Sequence, residues 1–252
     1  MPDSEPNAKV VLITGASRGI GRACAEAFLA AGHKVVLAAR DEARLQALAA
    51  TAPDRALAVG CDVAEPDQVD ALFAAIQARF GRLDVAFNNA GIGLPSADIA
   101  DISWQDWRRV AAVNLDGAFL IARGAFAMMR AQSPRGGRII NNGSISAQAP
   151  RVGSVPYTVT KTAITGLTRA LSLDGRKHDI ACGQIDIGNA ASDMTETFQQ
   201  GMPQADGSIR PEPVMDVAHV AQAVVQMAAL PLSANVQFMT LMATKMPLIG
   251  RG

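Results

Sequence analysis

The sequence predicts a doubly wound parallel α/β sheet, and three observations carry that reading. Short apolar runs such as residues 10–13 and 34–39 are what strands covered by helices on both faces require. Such runs alternate with stretches of helical spacing, and repeated strand-helix alternation builds a parallel sheet. A glycine turn follows the first run directly and opens a helix, the setting in which backbone amides meet a phosphate.

Taken in order, residues 10–13 read as the first strand and 14–21 as the turn, and the helical pattern that follows runs through Ala31 to a stop at Gly32. A strand at 34–39, a helix at 41–50, a strand at 56–60, a helix at 66–80 and a strand at 85–88 continue the alternation. Residues 104–131 supply one or two long helices, interrupted near Asn114. Strands at 138–141 and 180–185 bracket a helix at 157–175. A helix at 216–230 precedes a near-continuous apolar run at 236–243, which reads as a last buried strand. No repeat or linker divides the chain, so residues 9–252 are expected to form one domain behind a flexible polar arm at 1–8. The stretch 192–213, rich in Gln, Gly, Pro and Thr, is long for a connection and reads as a flap over a substrate.

At 252 residues, 49% of them hydrophobic, the chain is long enough for a sizeable core. Its 23 basic and 23 acidic residues balance and are scattered, which makes no electrostatic case for nucleic acid or a membrane as partner. Cys24, Cys61 and Cys182 lack Cys-x-x-Cys spacing and sit among small or apolar residues, so they read as packing thiols of a reducing compartment. His33, His178 and His219 form no ligand pattern, and no metal is expected. No segment reaches the ~18 consecutive apolar residues of a membrane span, and the polar start is unlike a signal peptide. A soluble cytoplasmic protein is the expectation.

Two stretches carry chemistry. The turn at Gly15, Gly19 and Gly21 has the spacing Gly-x-x-x-Gly-x-Gly, whose glycines let backbone amides approach a pyrophosphate at a helix N-terminus. Further on, Ser144 precedes Tyr157 and Lys161, and the last two share one face if the segment is helical. Tyrosine is a poor base at its ordinary pKa of ~10. An ammonium one turn away favours the phenolate, and a lowering of ~3 units is expected to bring Tyr157 into the range where acid-base catalysis works. Ser144 is placed to donate to a substrate oxygen and stabilise its growing charge.

Thr14 to Gly21, the run Asn88-Asn89-Ala90-Gly91, Asn114, Ser144 and Tyr157-x-x-x-Lys161 occur in one order, and that set resembles the short-chain dehydrogenase/reductase family. The resemblance is close over about residues 9–194 and loose beyond. It implies a single Rossmann-type domain with a seven-stranded parallel sheet, binding NAD or NADP. Matched position by position, it implies that Gly15, Ser17, Arg18, Gly19, Ile20 and Gly21 follow the cofactor phosphates and ribose. Asp62 and Val63 would flank the adenine, with Asn89, Ala90 and Gly91 bordering its ribose. Asn114, Ser144, Tyr157 and Lys161 would be the catalytic set, with Asn114 holding a water in a relay to Lys161 and Lys161 bonding the nicotinamide ribose; an Asn inside a helical pattern also reads as a simple kink.

The end of the second strand decides between the two dinucleotides. An acid there suits the ribose hydroxyls of NAD and repels a 2′-phosphate. Here Ala39 stands in place of the family's acid and Arg40 follows it, while Arg18 reaches from the turn, so NADP(H) is expected over NAD(H). Arg40 also reads as a solvated residue offset by Asp41. The resemblance thins at Asp186-Ile187-Gly188-Asn189, where Ile187 replaces the family's proline and Gly188 keeps its glycine; Gly143 likewise stands where a second serine is common. Gly188 and Ala190 are still expected beside the nicotinamide and Ser192 near its carboxamide or the phosphates, while Asp186 and Asn189 face either the substrate or only the turn. Met239, Met242 and Met246 read as core or subunit-interface residues.

Substrate contacts are expected from 146–154, from Asn189 and Met194 and from the flap through Pro213. That lining is uncharged apart from Arg151, which favours a neutral ketone, aldehyde or secondary alcohol. The resemblance thus implies an NADP(H)-dependent carbonyl reductase or alcohol dehydrogenase, with a 3-oxoacyl thioester reductase and a non-catalytic NADP-binding redox sensor as the competing readings. A homo-oligomer, tetramer or dimer, is implied through the helices at 104–131 and 157–175.

Overall fold

The structure is a computed structural model that describes residues 8–192 and 201–248. All but Ala8 of the expected N-terminal arm, residues 193–200 of the expected flap and Met194 with them lie outside the described residues. The described residues form a parallel seven-stranded sheet in the order β3-β2-β1-β4-β5-β6-β9. The strands are β1 Val10–Thr14, β2 Lys34–Ala39, β3 Ala56–Gly60, β4 Val85–Asn88, β5 Gly137–Asn142, β6 Ile180–Gly188 and β9 Phe238–Met242. The predicted fold class is therefore the observed one.

Because the side chains of a strand alternate, each central strand feeds two cores. Val11, Ile13, Val35 and Leu37 pack on one face with Phe28 and Val224 from α1 Gly19–Ala30 and α7 Val217–Ala229. Val10, Leu12, Val36 and Ile139 pack on the other with Leu72 and Ile121 from α3 Pro66–Phe80 and α5 Ala118–Ala131. This two-sided burial explains the unbroken apolar runs of the sequence. Caps mark the helix starts: the Asp41 carboxylate accepts from Arg44 N at the head of α2 Glu42–Ala49, and Ser103 Oγ accepts from Asp106 N at the head of α4 Trp104–Ala111.

Between α4 and α5 the chain makes a π-helical turn, Ala112–Gly117, and Asn114 sits in it. The interruption expected near Asn114 is thus one extra residue accommodated in a continuous helical path, a distortion that recurs at functional sites. By length and composition Trp104–Ala131 is apolar enough to cross a membrane, yet half of its apolar window is buried inside the fold. α6 Val155–Gly175 lies on the same side, against β6 and the π turn.

The last strand departs from expectation. β9 pairs with β6 alone, so it is an edge strand, and Phe238 is 41% exposed with Arg169 stacked 5.6 Å from its ring centre. An apolar run does not report whether a second neighbour will cover it. Met246 is buried with Ile145 and Ala243, while Met239 packs against the first core. The described part of the flap folds as a small antiparallel pair, β7 Met202–Pro203 with β8 Ile209–Arg210. The three cysteines are free and buried, and burial pushes Cys24 and Cys182 up to about 12 and Cys61, with the Asp62 charge adding, up to about 11. Inert packing thiols are the consequence.

Candidate active site

Strand order reverses between β1 and β4, and a cavity of about 810 Å³ opens along the carboxyl ends of the strands at that point. The glycine turn forms its floor. Gly15 has φ +67, and a Cβ on Gly21 would sit 2.2 Å from Gly15 O, so the start of α1 folds directly onto the turn. Ser17, Arg18, Gly19 and Ile20 line the cleft at the α1 N-terminus, where the helix dipole favours an anion. At the end beyond β2, Ala39 and Arg40 line it together with Arg44. Asp41 turns to Arg44 at 3.2 Å and both are exposed, so it does not serve as a partner for Arg40. Arg44 was not among the sequence candidates, although its position four residues after Arg40 on a helical stretch placed it on the same side.

Asp62, Val63, Asn89, Ala90 and Gly91 line the middle of the cleft. A chain of hydrogen bonds ties this region to the turn. Thr14 Oγ1 accepts from Asn89 N and Ala90 N, each at 2.9 Å, and Asn89 Nδ2 donates to Thr14 O at 2.8 Å. Asn142 Nδ2 donates to Asn89 Oδ1 at 2.9 Å, and Asn142 O accepts from Lys161 Nζ at 2.7 Å. Thr14 entered the sequence reading only as the first residue of the glycine-turn motif and Asn142 not at all, because each acts through contacts between strands that only the sheet brings together.

Ser144, Tyr157 and Lys161 line the inner end of the cleft. Ser144 leaves the tip of β5, and Tyr157 and Lys161 stand one turn apart on α6, with the ammonium 5.7 Å from the phenol ring centre. The phenol is half-buried among these walls. Burial raises its pKa, while a hydrogen bond with Ser144 and the Arg151 charge pull it down. The lowered value expected from Lys161 is therefore not what the protein itself sets up, because desolvation outweighs the neighbouring charges. Lys161 is buried and lowered to about 8 by desolvation, with the Asp186 carboxylate opposing.

Asn114 and Gly188 are not brought to the cleft wall. Asn114 is buried, its Oδ1 accepting from Ile92 N at 2.8 Å and its Nδ2 donating to Ile92 O at 2.9 Å and to Thr160 Oγ1 at 3.3 Å. A Cβ on Gly91 would lie 3.4 Å from Asn114 Oδ1 and 3.8 Å from Lys161 Nζ, so both flank one backbone position. Gly188 faces the C-terminal core, where a Cβ would meet Met246 Sδ at 2.6 Å. Its neighbours Ile187, Asn189, Ala190 and Ser192 do line the cleft.

This geometry agrees with the comparisons. The short chain dehydrogenase family matches residues 9–203. This chain belongs to the short-chain dehydrogenase family. It is 36% identical over 191 residues to a 3beta-hydroxysteroid dehydrogenase of Mediterraneibacter gnavus, covering 75% of this chain and 68% of the relative. It is 35% identical over 195 residues to a 3-oxoacyl-[acyl-carrier-protein] reductase of Synechocystis sp., covering 76% and 78%. Among solved structures, the 3-ketoacyl-(acyl-carrier-protein) reductase of Brucella melitensis complexed with NADH superposes with a TM-score of 0.85 at 26% identity, covering 96% of this chain and 99% of that one.

In this short-chain dehydrogenase Arg151, which lines the cleft, forms an ion pair with the buried Glu212 that sequence reasoning did not find. Arg151, expected to be the one cation near the substrate, donates to Glu212 Oε2 and to Asn189 Oδ1, each at 2.6 Å. Asn189 Nδ2 donates to Glu212 Oε2 at 2.8 Å, and Gln204 Nε2 donates to Glu212 Oε1 at 3.1 Å. Thus the loop after β5, the end of β6 and the described part of the flap meet on one carboxylate. Burial alone would raise Glu212, but the bonds from Asn189, Arg151 and Gln204 and the Arg151 charge prevail and hold it at about 2. Asn189 sits at φ +37, a conformation that the two hydrogen bonds of its amide to Glu212 and Pro213 help to hold.

A carboxyl lowered in the folded state adds stability that is present above its ordinary pKa and is lost as pH falls toward its folded value. Glu212→Gln is therefore expected to lower Tm at pH 7 by roughly 4 to 8 °C. The gap to the parent should close as pH falls from about 4.5 to about 2. Thermal melts across that range check it, and a gap that does not vary with pH would count against the network.

Proposed function

We propose that this chain is an NADP(H)-dependent oxidoreductase that interconverts a carbonyl compound and a secondary alcohol, with Tyr157 as the acid/base. The observation that carries the reading is that Ser144, Tyr157 and Lys161 share one cleft with the glycine turn. The chain fits a dinucleotide: the close approach at Gly15 and Gly21 leaves room for backbone amides to meet phosphate oxygens, and the α1 N-terminus adds favourable charge. The nicotinamide, when bound, supplies or accepts the hydride.

The proton work belongs to the chain. In the reducing direction Tyr157 Oη gives its proton to the developing alkoxide, and in the oxidising direction it takes one from the alcohol. Burial keeps the phenol protonated, the state that reduction needs. Ser144 Oγ donates to the same substrate oxygen. Lys161, anchored on Asn142 O, offsets the negative charge that Tyr157 acquires when it releases its proton. Asn114 secures the 91–92 backbone beside Lys161, and its relay role is part of this reading.

Ala39, Arg40 and Arg18 support NADP(H) over NAD(H), with Arg44 adding a cation on the same side. Beside the reacting groups Leu94, Pro95, Ile102, Val152 and Met202 give the lining an apolar part, and Asp101, Asp106, Arg109 and Arg151 add charges of both signs, a balance that suits a substrate without net charge such as a ketone or secondary alcohol. A second reading, a 3-oxoacyl thioester reductase, draws on the similarity to the Synechocystis and Brucella reductases. A redox sensor without turnover has no use for the acid-base set. Buried free thiols suit a reducing cytoplasm. Exposed Trp104 on α4, Phe119 on α5 and Leu173 on α6 suit a homo-oligomer assembled through these helices.

Three outcomes follow. Tyr157→Phe should retain NADPH binding and lose turnover by several orders of magnitude, read by NADPH absorbance against ketones and acyl thioesters; near-native turnover would refute the assignment. Arg40→Ala should shift the ratio of kcat/KM for NADPH over NADH toward NADH by about tenfold, and an unchanged ratio would sink the NADP(H) reading. Phe119→Glu should reduce the mass measured by light scattering from a dimer or tetramer to a smaller species; a parent that is already monomeric removes the oligomer reading.

A further inference from the structure

β6 carries a carboxylate directly behind the reacting groups. Asp186 is 3% exposed, and its Oδ1 accepts from Ser144 N at 3.0 Å and from Gln184 Nε2 at 2.7 Å. Gln184 Nε2 also donates to Thr165 Oγ1 at 3.1 Å, and Gln184 Oε1 accepts from Thr168 Oγ1 at 2.9 Å, so the acid is braced from the helix that bears Tyr157 and Lys161. Space for it exists only because residue 143 has no side chain. A Cβ there would stand 2.0 Å from Asp186 Oδ1 and 2.6 Å from Gln184 Nε2. Gly143, Gln184 and Asp186 are therefore one interdependent set.

The charge facing Asp186 is Lys161 on α6. Just beyond β5 comes the uncharged Ser144, from β9 the backbone of Thr240, and from α6, by way of Gln184, the hydroxyls of Thr165 and Thr168 and, beyond Ser144, the phenol of Tyr157. Conversely, Asp186 is the charge that acts on Lys161, whose ammonium donates to Asn142 O.

We propose that Asp186 is a positioning residue of the proton-handling centre: through its charge it keeps Lys161 in the ammonium form, and through its Oδ1 it fixes the backbone of Ser144. The assignment rests on the dehydrogenase reading above. Its physical content is simple. A buried lysine pays for its charge in lost hydration and needs a nearby anion to remain an ammonium at neutral pH. With a pKa of about 8, Lys161 is about nine-tenths protonated at pH 7. Were its pKa one unit lower, about half would be protonated at pH 7. The neutral fraction cannot stabilise a phenolate.

The test is Asp186→Asn, which keeps the size and an acceptor for Ser144 N while removing the charge. The chain has five lysines, Lys9, Lys34, Lys161, Lys177 and Lys245, so ¹³Cε-lysine labelling gives a short spectrum in which the Lys161 resonance is assigned by its loss in Lys161→Met. Lys161 should titrate near 8 in the parent and about one pH unit lower in Asp186→Asn. The alkaline limb of kcat/KM for ketone reduction should move down by the same amount. A purely structural acid would lower turnover without moving either value, and an unmoved titration overturns the proposal, as does a moved titration with an unmoved limb. If the asparagine variant fails to fold, Asp186→Ser, which removes the charge, keeps a polar group on β6 and leaves Gly143 in place, reads the same shift. The lysine titration needs no turnover, so a parent protein inert toward every carbonyl overturns the dehydrogenase reading, while an active enzyme with an unmoved titration overturns only the role of Asp186.

Discussion

The hydrogen bond from Lys161 Nζ to the carbonyl of Asn142 is the contact on which the arrangement of the cleft depends. A buried ammonium must find acceptors, and here the first is the backbone of the last residue of β5. The side chain of that same residue reaches Asn89 beyond β4, which in turn holds Thr14 at the end of β1. One chain of polar contacts therefore spans three adjacent strands and connects the glycine turn to the acid-base pair. Moving any member shifts the spacing between the two halves of the cleft.

Parallel topology is what makes this possible. All seven strands point the same way, so every loop that follows a strand emerges on one edge, and the reversal of order between β1 and β4 leaves a crevice there. Residues far apart in the chain, from Gly15 to Ser192, become neighbours because each follows a strand end. The π turn contributes in a different way. It holds Asn114 where its amide clasps the backbone of Ile92 on both sides, so a local helical irregularity fixes the loop after β4.

Behind and above the reacting groups lie two buried carboxylates with opposite settings. Glu212 is surrounded by donors and stays ionised far below the ordinary carboxylate range. Asp186 is raised by burial, against the pull of Gln184, Ser144 and Lys161. The first ties Arg151, Asn189 and Gln204 together, and the second acts on Lys161. Together they give Gly143 and Asn189 structural roles: the missing side chain at 143 admits a charge, and Asn189 takes a left-handed conformation within a network that satisfies its amide.

By itself the sequence determined the alternation of strands and helices, the glycine turn, the pairing of Tyr157 with Lys161 on one helical face and the family to which these belong. Each of those is written in local spacing, where the period of a helix or strand dictates what lies beside what. Only the tertiary structure decided that β9 is an edge, that Gly188 faces the core, that Arg151 is paired with Glu212 and that burial raises the phenol within the protein alone. Those outcomes depend on which groups from distant segments share a desolvated space, and the balance between burial and neighbouring charge is set by that three-dimensional packing.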